Sequence, residues 1–179
     1  MTLTQNILLN IACSILASFI FLFLVLLFFK PKVRLSPFVC KGRFMEGDNI
    51  DYFFIKIINV SFFSAYDVSV ELLEVDSYPT INGQMNNRFI PLTLVLNHIS
   101  NIPGYRPSWI RKNAPYAIRV RTVEDVNKIL SSDYKSVMVK VTLRHGLTGL
   151  VKVLTKEYTD CGQIKNGKFD YGLKFGSVN

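Results

Sequence analysis

Residues 134–158 read YKSVMVKVTLRHGLTGLVKVLTKEY, and this stretch decides the class of fold. Val137, Val139, Val141 and Leu143 alternate with Ser136, Met138, Lys140 and Thr142. A period of two with β-branched residues on one side marks a half-buried strand. His145 and Gly146 fall in a hairpin turn, where the histidine is expected to be solvent-exposed, and 150–159 supplies the return strand. Upstream, Ile90, Leu92, Leu94 and Leu96 repeat the alternation, and Pro91 predicts that this strand starts at a sheet edge. Val68, Val70 and Leu72 alternate until the phase slips at Leu72-Leu73, as a bulge would produce. Residues 52–60 are apolar on both faces and predict a central strand. Further strands are expected at 33–40, 116–121 and 163–169. About eight such segments separated by turn residues indicate an all-β, antiparallel sandwich. One short helix is expected near 123–131, because Thr122-Val123-Glu124-Asp125 resembles a cap and Val126, Ile129 and Leu130 follow at helical spacing. Residues 97–115, with Pro103, Gly104, Pro107, Trp109 and Pro115, form the longest unpatterned stretch and predict a functional loop.

The chain has 179 residues, 49% hydrophobic and 19% charged, which leaves room for one domain plus an appendage and excludes a disordered chain. The appendage is at the start. Residues 1–29 contain no Lys, Arg, Asp or Glu, and residues 7–29 would span roughly 35 Å as a helix, against a bilayer core of about 30 Å. The leader MTLTQN lacks the basic residues of a signal peptide, and the apolar run ends in bulky Phe28-Phe29, so a retained transmembrane helix is expected. Lys30, Lys32, Arg34, Lys41 and Arg43 all follow this run and precede the first acid, Glu46. The positive-inside rule then places the N-terminus outside and the following domain in the cytoplasm of a bacterial cell, across its inner membrane. The expected organisation is an outer N-terminus at 1–6, a transmembrane helix at 7–29, and a basic stem with the first strand at 30–45. A cytoplasmic sandwich at 46–176 and a tail at 177–179 complete it. In that compartment Cys40 and Cys161 are reduced thiols, and the sequon at Asn59 is irrelevant.

Asn6, Asn10, Ser14 and Ser18 recur every fourth residue within the apolar run, with Ala17 beside them. Small and amide side chains let helices approach and hydrogen-bond, which predicts a homo-oligomer face. Two further readings stay open: a pore lining built on that face, or asparagines that only meet the headgroups.

The order of elements resembles the cytoplasmic immunoglobulin-like domain of inward-rectifier potassium channels over residues 50–170. The residues that carry the resemblance are Asn97-His98-Ile99 at a strand end, the acidic helix TVEDV, the Thr148-Gly149 hairpin, Tyr158, and Gly167 to Phe169. It implies an immunoglobulin-like sandwich hung below a membrane helix, with fourfold association as one arrangement. The chain departs from that family in having no second apolar run, pore loop or TVGYG-like filter, so potassium selection is not implied.

Motifs of catalysis are sparse. The sequence has no GxSxG, HExxH, GxxxxGK[ST] or GxGxxG, and its three cysteines lack CxxC spacing, so no enzyme, metal site or cofactor is expected. A Cys161–His145 nucleophile pair is the one combination that spacing leaves open. Of the 21 basic residues, Lys30, Lys32 and Arg34 suit the anionic lipids of the inner leaflet. Without the five stem cations the balance is 16 basic against 13 acidic residues, which disfavours nucleic acid as a partner. Tyr105, Arg106, Trp109, Arg111 and Lys112 in the long loop, with Arg119 and Arg121 beyond it, form a candidate ligand loop, because guanidinium groups beside aromatic rings suit phosphates. The alternative there is a solvated loop.

Two functions are therefore expected from the sequence. One is an oligomeric inner-membrane protein whose β-domain senses a protein partner or an anionic signal, acting as a membrane-disrupting or channel-like effector of anti-phage defence. The other is a pore-free adaptor that docks a cytoplasmic partner at the membrane.

Overall fold

A computed structural model describes residues 3–28, 32–44, 50–107 and 113–178. The chain divides into two compact units, Met1–Lys30 and Pro31–Asn179. The first unit is one helix, α1 (Leu3–Phe28), long and apolar enough to cross a membrane. It contains no Gly or Pro, and a helix satisfies every internal backbone group without water, which hydrocarbon requires. It starts four residues before the apolar run, so Asn6 already lies within it.

The second unit is mostly β. Its strands are β1 (Val33–Leu35), β2 (Val39–Arg43), β3 (Asp51–Asn59), β4 (Ala65–Pro79), β5 (Met85–Leu92), β6 (His98–Ile102) and β7 (Ala117–Thr122). A short helix, α2 (Val126–Leu130), precedes β8 (Lys135–His145), β9 (Val151–Tyr158), β10 (Ile164–Asn166), β11 (Lys168–Phe169) and β12 (Ser177–Val178). Five strands form each of two sheets. In the first, β3 is central, with β7 along one edge and β1 and β2 end to end along the other; β10 extends the sheet beyond β2. In the second, β4 pairs with β8 on one side and with β5 and β6 on the other, and β9 forms the far edge.

Val39, Phe53, Ile55, Ile57 and Val120 of the first sheet share one buried cluster with Val68, Val70, Leu72, Val137, Val139, Val141 and Leu143 of the second. Each such side chain contributes about 1.5–3 kcal/mol on full burial, so this cluster is the main stabilising element. Val126 and Leu130 of α2 join it. Tyr158 is fully buried at the end of β9, where its hydroxyl donates to the Ser36 carbonyl at 2.8 Å. Burial pushes its phenol up to about 12.

The central strand expected at 52–60 is β3, and it is buried on both faces for two reasons. Phe53, Ile55 and Ile57 point into the shared core, while Phe54 joins a second cluster with Phe38, Cys40 and Phe169 on the opposite face. Other expectations are corrected. The sheets are not purely antiparallel, because β10 pairs with β2 in parallel, Ile164 opposite Val39. The chain reaches that edge through a 3-10 turn at Cys161–Gln163, closed by reciprocal bonds between Asp160 and Gln163. Leu72 and Leu73 pair regularly with Leu92 and Pro91; Leu73 is an apolar residue on the other face, not a phase slip. The irregularity lies between Tyr66 and Ser69, around Asp67 at φ 48°. β5 is an edge strand, but Pro91 stands near its end, and the register begins at Met85 with a polar run that hides the alternation. Residues 97–115 are not wholly unpatterned, since β6 lies among them. α2 begins later than expected because Asp125 is its cap, accepting from the amides of Asn127 and Lys128.

Candidate functional site

The pleat of the first sheet sends Ile118 and Val120 toward the core and Arg119 and Arg121 to the opposite face. Register then puts Arg121 beside Phe54 and Arg119 beside Lys56. The C-terminal segment folds back over part of this face. Gly167, at φ 111°, turns the chain after β10 and donates its amide to the Lys41 carbonyl at 2.9 Å. A Cβ on Gly42 would meet the Gly167 carbonyl oxygen at 3.0 Å, so glycine at 42 permits this close pass. The turn delivers Lys168 and Phe169, whose ring stacks on Phe38 at 5.4 Å between centroids.

Lys56 anchors the same segment. It is 3% exposed, and its Nζ donates to the carbonyls of Asp170 at 2.7 Å and Lys174 at 2.8 Å. Burial lowers its pKa, and the nearby Asp170 carboxylate acts against that shift.

Beside this anchor lies a cleft of about 390 Å³, lined by Arg43, Phe44, Phe54, Leu96, Ala117, Ile118, Arg119, Arg121, Lys168 and Phe169. Four of these residues are cationic and none is acidic. The Arg121 guanidinium sits 3.6 Å from the Phe44 ring centroid and 5.3 Å from that of Tyr52. Its Nε is buried and has no hydrogen-bond partner among the described residues. None of the four cations makes an ion pair with a described residue. Chemically, the arrangement offers one guanidinium fork held against aromatic rings, Arg121, with three exposed cations around it and the buried rings of Phe54 and Phe169 as an apolar floor.

The structure brings together only part of the expected ligand loop. Arg119 and Arg121 line the cleft, whereas Tyr105 packs edge-on against Tyr116 at 5.1 Å and donates its amide to the Ser61 carbonyl. Arg106 is exposed, and Trp109, Arg111 and Lys112 lie outside the described residues. Arg43, read from sequence as part of the basic stem, ends β2 and lines the cleft instead. Phe44, Phe54, Lys168 and Phe169 were not legible as site residues, because three separate strands and a distant turn assemble them. Of the stem cations expected to face lipid, Lys30 lies outside the described residues. Lys32 is exposed, and Arg34 sits on β1 with its guanidinium 5.2 Å from the Phe175 ring centroid.

Along α1, the Ser14 hydroxyl donates to the Asn10 carbonyl at 2.8 Å and the Ser18 hydroxyl to the Ser14 carbonyl at 2.9 Å. Both hydroxyls are thus satisfied within their own helix. Ser14 and Ser18 line a shallow apolar groove with Ile15, Phe19 and Leu22; Asn6, Asn10 and Ala17 are exposed.

His145 is a correction. It is 2% exposed, with Nδ1 3.1 Å from the Thr148 hydroxyl and its ring edge-on to Phe63. The reason is Gly146, where a Cβ would strike the Ser64 carbonyl oxygen at 2.7 Å; this tight pass folds the turn over the histidine. Burial lowers its pKa. Cys161 lies near Ser131 and Asn127, beside α2, at the opposite end of β8 from His145. Roughly 33 Å of strand separates the two ends, so they form no nucleophile pair. Cys40 is fully buried, and burial pushes its thiol up to about 11, which makes it a poor nucleophile. Asn59 is buried too, its amide donating to the carbonyls of Phe63, Ile102 and Pro103, which closes it to modification in the folded domain.

The chain matches no model of a known protein family, and no curated protein matches it either.

Proposed function

We propose that the chain is a membrane-tethered sensor: a single-pass protein of a bacterial inner membrane whose cytoplasmic β-domain binds an anionic signal or a protein partner. The observation that carries this reading is a cationic cleft with no acid among its described lining residues, on a chain that also holds a helix apolar enough to span a bilayer. Two sheets around one core support reading the β-domain as an immunoglobulin-like sandwich. On this reading the copies associate through Asn6 and Asn10, with a tetramer as the arrangement the resemblance suggests. Lys30, Lys32 and Arg34 meet anionic lipid, and ligand binding shifts the helix bundle between closed and open arrangements. An output of that kind compromises the membrane, which suits an effector of anti-phage defence by analogy of architecture.

The adaptor reading keeps one specific support. Ser14 and Ser18 spend their hydroxyls inside α1, so they do not need a polar neighbour or water. Induced expression with a potential-sensitive dye separates the two. The effector depolarises cells, and Asn10→Leu with Ser14→Leu abolishes the effect by removing the amide that can bond across helices. A monomer in detergent, harmless when expressed, would overturn the effector reading and leave the adaptor.

A further inference from the structure

We propose that the cleft between β7, the end of β2 and β11 is a binding site for the phosphate group of a phosphate ester. The inference rests on the reading of the β-domain as a binding module, and it names the ligand chemistry that reading leaves open.

Three features point to phosphate. First, Arg43, Arg119, Arg121 and Lys168 converge on one cleft without an acid among its lining residues. Four cations without an acid suit the phosphate of an ester, which offers more acceptor oxygens than a carboxylate and so can engage several cationic donors at once. Second, Arg121 is preorganised. Its guanidinium is held against Phe44 and Tyr52, which restricts a side chain that otherwise loses much entropy on binding, and its buried Nε has a proton to give. Third, Phe54 and Phe169 are each 7% exposed and form an apolar floor, so a charge-assisted bond there is weakened less by water than at an open surface. The volume of about 390 Å³ is at the small end of sites for organic ligands, enough for a phosphate and part of the group it esterifies.

Two sources present this chemistry at the inner face of a membrane: the headgroup of an anionic phospholipid and a soluble nucleotide. The test uses the full chain. Purified in a neutral maltoside detergent, it is titrated with ATP in the absence of divalent cations. Reconstituted in nanodiscs, it is compared in phosphatidylcholine alone and with phosphatidylglycerol, reading the thermal midpoint of the β-domain. Arg119→Gln changes an exposed strand residue and keeps the β3–β7 backbone pairing; Lys128→Gln, exposed on α2 and outside the cleft, is the control. ATP binding that weakens about tenfold in Arg119→Gln and stays unchanged in Lys128→Gln identifies a soluble phosphate ester. Stabilisation by phosphatidylglycerol alone, lost in Arg119→Gln and kept in Lys128→Gln, identifies a headgroup. No response to either probe, or a response that Arg119→Gln leaves intact, overturns the site. That failure with depolarisation retained would remove this ligand class and spare the sensor. A functional cleft on a harmless monomer would do the reverse.

Discussion

The two sheets treat their surface charges differently. On the second sheet, Lys135 pairs with Glu74 at 2.7 Å, Lys140 with Glu71 at 3.2 Å and Arg144 with Asp67 at 3.8 Å, each across the β4–β8 pairing. On the first sheet Lys41 pairs with Asp51 at 3.5 Å, but Arg43, Arg119 and Arg121 gather with Lys168 of the separate β11–β12 pair without an acid among the described residues that line their cleft, and Lys56 is buried on backbone carbonyls. The second arrangement is self-neutralised and needs nothing more. The first leaves cationic capacity unspent, and the difference locates the proposed binding surface better than net charge does.

The largest expected effect tests the buried cation. Lys56→Ala removes two charge-assisted bonds and leaves the carbonyls of Asp170 and Lys174 without their donor, at a cost of about 3 kcal/mol. At roughly 2–4 °C per kcal/mol, the thermal midpoint should fall by several degrees, and limited proteolysis should cut within 168–178. Lys140→Ala, across a solvent-exposed pair, should shift the midpoint little. Equal effects of the two would break the comparison.

Next in size is the pH dependence, which should fail at opposite ends for the two sheets. His145, on the second, has a folded pKa below its usual 6.5. Its contribution is complete above pH 6.5 and is lost as pH falls toward and through the folded value, at up to about 1.4 kcal/mol per pH unit for one proton. Cys40, on the first, has a folded pKa of about 11 against 9.0 when unfolded, so its contribution is complete below pH 9 and lost between pH 9 and 11. Thermal midpoints across pH 5 to 11 should show His145→Gln flattening the acid limb and Cys40→Ala the alkaline limb. Unchanged limbs would mean that other groups set them. The smallest effect is Glu71→Gln, which gives the second sheet an unpaired Lys140. It should cost about 0.5 kcal/mol or less, and the cost should vanish at high salt.

β8 was legible because a buried face imposes a period of two whatever lies opposite, and β3 because its run is apolar on both faces, as a central strand requires. β6 was missed because five residues between a mostly exposed hairpin and a proline-rich segment leave too short a pattern, and β5 was expected at 90–96 instead of Met85–Leu92 because Asn86, Asn87 and Arg88 are all exposed. The site was half legible. Arg119 and Arg121 carry a visible period of two, but nothing local to Arg43 or Lys168 indicates that β2 and the turn after β10 meet there. His145 was misread because the burial of a turn residue depends on what packs over it, here Phe63 and the backbone at Ser64.

The parallel pairing of β2 with β10 also has a consequence for how the domain is made. Val39 and Ile164 stand opposite each other in the sheet but 125 positions apart in the chain (164 minus 39). At about 5–20 residues per second, the ribosome needs roughly 6–25 s between the two. For that interval the outer edge of β2 is an unpaired strand. Until β10 emerges, that edge is open to any other extended chain, including β2 of a neighbouring nascent copy.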